Sequence, residues 1–186
     1  MTLIKTNQVN QSYNNVAGHL VAGDLKVVYE VKTPLRVMAE EYRNEIENSD
    51  IQKEFIEELQ DYMKRVPGND QRDLEQKLTA ANRRDMIIDA KLLKEKFAKK
   101  LYRHTFSPNA QAIFVHILAV IRSSFQLKVL PLIRESKTPY EIDSTIYDSI
   151  IEVIYNQVGN SELDINMDHI RGMLYYLTGN CYINWE

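Results

Sequence analysis

Cysteine is almost absent from this sequence, with Cys181 the single one among 186 residues. One thiol cannot close an intramolecular disulfide, and no cysteine and histidine cluster falls at zinc spacing, so neither a disulfide framework nor a zinc module is encoded. That usage suits a reducing compartment, and a cytoplasmic location is the expectation. Long apolar runs are missing too. The longest, Ala112 to Ile121, contains His116 and falls short of the roughly 20 residues that a membrane span needs. The start MTLIKTNQVNQ has no basic region followed by an apolar stretch, so neither a signal peptide nor a membrane partner is expected, and the sequon Asn10-Gln11-Ser12 carries no weight. Glycine-rich phosphate loops are lacking: GHLVAGD has neither the Walker lysine nor the dinucleotide-binding pattern. An excess of positive charge is lacking as well, since a net charge of -3 argues against a general polyanion binder.

What is present begins with a short duplication, Val16-Ala17-Gly18-His19 and then Val21-Ala22-Gly23-Asp24. A glycine costs about 1 kcal/mol relative to alanine inside a helix, so this repeat reads as extended or turn-like. Short strands need another strand to pair with, which makes Val16, Gly18, Leu20, Val21, Gly23 and Leu25 candidate residues for binding a partner or a second copy. The plain alternative is an ordered linker. Leu25 to Val31, LKVVYEV, is β-rich, and Thr33-Pro34 closes it. The ending CYINW, Cys181 to Trp185, is strand-like in composition and is its expected partner in one small strand pair. Residues 1–33 therefore read as an N-terminal arm with the repeat as an association segment, and 34–186 as a helical domain.

The remainder predicts a mainly α, multi-helix single domain, long enough to bury roughly 70% of its unfolded surface. Leu35, Met38, Tyr42 and Ile46 keep helical spacing after Pro34, and Ile51, Phe55, Leu59 and Tyr62 do so before Pro67-Gly68. These two acidic helices are expected to pair antiparallel. A third helix, from about Asp70 to Asn82, carries Leu74 and Leu78. In the fourth, Met86, Ala90, Leu93, Phe97 and Leu101 form the stripe. Ser107-Pro108 opens a helix that is apolar nearly all round and is expected to be central, with a kink or a break at Pro131. Thr138-Pro139-Tyr140-Glu141 opens the next, which runs to about Val158. The last spans about Asp168 to Thr178 and ends at Gly179, with Asp164 and Asp168 as expected caps.

Charge is unevenly spread. Glu40 to Asp61 is strongly acidic, whereas Lys91, Lys94, Lys96, Lys99, Lys100 and Arg103 face only Glu95. The two signs are expected to meet, within one chain or between copies; alternatively the basic face touches nucleic acid or an acidic partner, with Tyr102 and His104 for stacking. The run Asp164, Asn166, Asp168 matches the start of a calcium loop but has His169 where glycine belongs and Tyr175 where glutamate belongs. His116 reads as a core or interface histidine and Cys181 as a small buried residue. No catalytic, cofactor or metal residue is expected, and the chain is not expected to be an enzyme.

The strings LKEKFAKKLYRHTFSPNAQAIFVHILA, QKLTAANRRD and GMLYYLTGNCYINW resemble the C-terminal domains of bacterial ABC-three-component conflict systems, the Lamassu-like anti-phage group. The likeness covers roughly residues 34–186, the VAGH-VAGD stretch is similar to segments that precede such domains, and LTGNCYINW is its most specific part. In those systems an effector is coupled to a small middle component and an SMC-like ATPase. The resemblance implies a non-catalytic adaptor or assembly module that binds such partners and self-associates. The alternatives are a nucleic-acid-sensing subunit and an inhibitor of a neighbouring toxin or effector. About 33 residues precede the helical body, too few for an effector domain, so the effector is expected on a separate polypeptide or the domain in another use.

Overall fold

The computed structural model describes residues 33–48, 57–68, 70–159 and 161–186. Among them are seven helices and no strand: α1 (Pro34–Asn48), α2 (Glu57–Met63), α3 (Leu74–Ala80), α4 (Ile87–Arg103, after a 3-10 turn Arg84–Met86), α5 (Pro108–Arg134), α6 (139–158) and α7 (Met167–Gly179). The mainly α, multi-helix single domain expected from periodicity folds, and among the described residues it is all-α. The candidate association residues Val16, Gly18, Leu20, Val21, Gly23 and Leu25, the LKVVYEV stretch, and Ile51 and Phe55 lie outside the described residues.

Local chemistry sets most helix starts. Ser107 accepts from the Ala110 amide with Pro108 in the first turn, and Asp73 with Gln76 and Thr138 with Glu141 close reciprocal capping boxes. On α4 the buried residues are Ala90, Leu93, Phe97 and Leu101, the stripe that its spacing predicts. Pro131 offers no amide to the carbonyl four residues back, and the turn just before it, Phe125–Val129, widens to π-helix, with Leu130 N–H reaching Phe125 O. A second π-turn, Tyr147–Ile151, interrupts α6 where Thr145 and Ser149 hydroxyls donate to the carbonyls of Glu141 and Thr145.

The middle of the domain is α7 rather than α5. Every residue from Gly172 to Gly179 is buried, whereas α5 buries one face and leaves Leu127 74% exposed. Gly172 permits this burial, since a Cβ there would lie 2.3 Å from Leu93 O, so α4 and α7 approach backbone to backbone at their crossing. The α5 helix is nevertheless long and apolar enough, by length and composition, to cross a membrane. The expectation of no such stretch counted only an uninterrupted run; here the scattered polar residues fall mostly outside the face that buries Ile113, Phe114, Ile117, Leu118 and Ile121. Among the described residues the acidic helices do not pack on each other as expected: α1 packs on α5 and the end of α6, and α2 packs on α5. Glu45 of α1 accepts from Ser107 Oγ at 2.9 Å and Asn109 N–H at 3.2 Å, placing a carboxylate at the N-terminus of α5, where the helix dipole favours it.

The ends of α3, α5 and α7 share one device. Asn82, Ser136 and Cys181 take left-handed backbone angles (φ 57, 55 and 69°), and the following amides, Arg83, Lys137 and Tyr182, bond back to the carbonyls of Leu78, Leu132 and Leu177. This double-bonded helix stop normally uses glycine. At α7 it reverses the chain, so CYINW is no strand. It is an irregular tail whose Cys181, Ile183 and Trp185 are buried and whose β-type composition reflects burial rather than pairing.

Candidate functional site

The basic residues of α4 are drawn mostly into the domain's own contacts. Lys91 pairs with Glu75, Lys96 with Asp168 at 2.7 Å, and Lys99 with Glu95 at 2.8 Å one turn back. Lys100 donates to Asp164 O at 2.9 Å, and the Lys94 stem lies over Gly179, where burial lowers its pKa. Arg103 is exposed at the helix end. The face therefore meets acidic groups near α3 and α7, and within the described chain it does not meet the acidic side chains of α1 and α2.

In the loop before α7 the calcium-like residues are engaged by lysines of α4. Asp164 sits at φ 47° with its carbonyl taken by Lys100, and Asp168 is held by Lys96. The cap is Asn166, neither Asp164 nor Asp168: its side chain accepts from His169 N–H at 3.1 Å, and its own amide donates to His169 Nδ1 at 3.2 Å. A histidine thus takes the place of the usual Glu or Gln in the capping box. No group of three His, Cys, Asp or Glu able to hold a metal occurs among the described residues.

Because His169 Nδ1 accepts a bond, the ring is required neutral. Burial first, then the Lys100 and Lys96 ammoniums, lower its pKa from 6.5 to about 4. An unfolded chain binds this proton near pH 6.5 and the folded one only near 4, so the stabilisation is complete above 6.5 and is lost as pH falls through about 4. Gln at this position keeps the cap and does not titrate. The expected result is that His169→Gln loses less stability between pH 7 and 4 than the parent, by roughly 2 kcal/mol after allowance for solvent near the ring, in urea denaturation followed by circular dichroism.

Two concavities flank the tail and α7. The larger, of about 700 Å³, opens between α2, residues 64–67, α5 and the tail, over Val115 and Ala119. Its wall is a cluster of aromatic and guanidinium groups, with Tyr62 and Tyr182 ring centroids 4.9 Å apart, the rings tilted by 48°, and Arg122 5.4 Å from the Tyr182 ring centre. Tyr182 OH donates to Asp61 O, Asn180 Nδ2 to Tyr62 O, and Val66 N–H to Asn180 O. The smaller, of about 470 Å³, lies along the α6 π-turn against α7 and is lined by Met86, Ile146, Tyr147 and Leu174. Its charged lining is internally paired: Asp143 with Arg83, Asp168 with Lys96, and Arg171 with Asp89.

Sequence reasoning passed over Arg83, which the α3 stop turns inward. Its side chain is buried, holds Asp143 through Nη2 at 2.8 and 2.9 Å, lies 5.9 Å from the Trp185 ring centre, and keeps Nε and Nη1 without hydrogen-bond partners. Lys77 was passed over too; it is buried, with Nζ donating to Thr178 O at 2.9 Å. Only the positive charges in QKLTAANRRD hinted at either. His116 is half-buried on α5, and Cys181 is a buried thiol.

The family model of C-terminal domain 9 of the ABC-three component systems matches residues 73–185, from the α3 cap to Trp185. No curated protein and no solved structure matches the chain.

Proposed function

The chain belongs to the family of C-terminal domain 9 of the ABC-three component systems, and on that premise we propose that it is a non-catalytic adaptor that assembles such a system. Membership of this family makes it a component of a conflict system, and that one observation carries the reading. As an adaptor it couples an effector to the SMC-like ATPase in Lamassu-like antiviral defence, acts in the cytoplasm, and self-associates. The internal pairing of Lys91, Lys96 and Lys99 favours a protein-binding role over nucleic-acid sensing, because neutralised lysines release few counterions from a polyanion.

The test is co-expression of the full chain with the products of its neighbouring genes. A complex with the ATPase or effector, together with loss of phage protection when this gene alone is deleted, is the expected result. Nuclease, nucleotide hydrolase or NAD-consuming activity of the purified chain would overturn the adaptor reading. Tight DNA or RNA binding that falls steeply with salt would favour the sensor instead.

A further inference from the structure

The α4 helix carries a second stripe that its inner face does not use. Ile88, Leu92, Glu95, Lys99 and Tyr102 advance by four, three, four and three residues, and Phe106 follows four further on, in the turn beyond the helix. All lie on the exposed side: Ile88 is 76% exposed, Leu92 61% and Tyr102 70%. Such large apolar side chains are usually scattered singly on a surface. Here they keep the 3.5-residue repeat that holds a seam in register along two packed helices.

The order of residues in this stripe is symmetric about position 97. Glu95 and Lys99 sit two residues on either side of it, Leu92 and Tyr102 five, and Ile88 and Phe106 nine. We propose that the outer face of α4 is a two-fold, antiparallel docking surface for a second copy of this chain. In that arrangement Leu92 of each copy meets Tyr102 of the other, Glu95 meets Lys99, and Ile88 falls beside the Phe106 turn. Opposite charges meet at the middle and apolar groups meet on both sides. An isologous contact requires this self-complementarity, since each residue must find its mirror position on an identical surface.

The flanks agree with this alignment. The like charges brought near the axis, the two Lys96 ammoniums, are each held by Asp168 of their own chain. The seam from Ile88 to Tyr102 spans only about 21 Å of helix, which places the contact at the small, weak end of interface sizes. A dimer that forms with rising concentration is expected. This rests on the reading that the chain self-associates and is independent of the adaptor role. It assigns the contact to α4 rather than to the Val16 to Asp24 repeat.

Sedimentation velocity of the full chain over about 1 to 300 μM tests it. The parent is expected to shift from monomer to dimer across that range. Leu92→Glu and Tyr102→Glu, at exposed positions that leave circular dichroism unchanged, are expected to weaken the dimer at least tenfold. Glu95→Lys and Lys99→Glu each place like charges across the seam and are expected to stay monomeric alone, while an equimolar mixture of the two forms a mixed dimer. A parent dimer unaffected by Leu92→Glu and Tyr102→Glu would overturn the α4 assignment and leave self-association standing. A parent monomeric throughout would overturn both.

Discussion

Gly172→Ala is expected to destabilise the domain by about 2 to 4 kcal/mol, although alanine is the better helix former by about 1 kcal/mol. The added methyl would lie 2.3 Å from Leu93 O, 2.9 Å from Phe97 Cβ and 3.0 Å from Leu93 C. Two of those three atoms belong to the α4 backbone, so no rotamer change relieves the contact. The helices must separate along the crossing that buries Phe97, whose ring packs on Phe114 at 5.8 Å and Tyr176 at 5.3 Å. Gly179→Ala is the matched control. There the nearest atom is Lys94 Nζ at 2.6 Å, the free end of a flexible side chain, and the substitution is expected to be close to neutral. Urea midpoints of the two variants should therefore move by very different amounts. Equal midpoints would mean that α4 and α7 do not meet through Gly172.

The contrast between these glycines shows what the sequence could and could not convey. Periodicity announces α4, because Ala90, Leu93, Phe97 and Leu101 repeat along one side of a helix whose other faces are charged. Proline after a hydroxyl residue announces the starts of α5 and α6 for an equally local reason. The central position of α7 rests instead on a pair contact between Gly172 and Leu93, and no local pattern encodes a partner. Gly179 invites reading as the left-handed stop, yet that conformation falls two residues later, on Cys181. The same limit applies to candidate sites. The lysines of α4 were legible as a basic face, but their partners Glu75 and Asp168 lie on other helices. The outer stripe was legible in spacing and hidden by the charges at its centre, which read as ordinary solvated surface until Ile88, Leu92 and Tyr102 are found exposed along it.

Trp185→Ala is expected to be the most damaging single truncation, costing about 3 to 5 kcal/mol of a domain stability that is itself about 5 to 15 kcal/mol. The indole is 2% exposed and lies in the core, 5.1 Å from the Phe125 ring at an interplanar angle of 62°. Its Nε1–H donates to Thr178 Oγ1 at 3.1 Å, while the Thr178 carbonyl receives Lys77 Nζ at 2.9 Å, so one residue at the end of α7 gathers both the tail and α3. Removing the ring leaves a cavity beside the α5 π-turn. It also exposes Arg83, whose Nε and Nη1 have no hydrogen-bond partner and whose guanidinium rests against that ring. Trp185→Phe keeps an aromatic face for Phe125 and Arg83 and loses the bond to Thr178, so it should cost less than the alanine variant. Guanidinium denaturation monitored by circular dichroism separates the two. If Trp185→Ala unfolds at the parent midpoint, the tail is not part of the core, and its buried residues must instead serve a contact outside this domain.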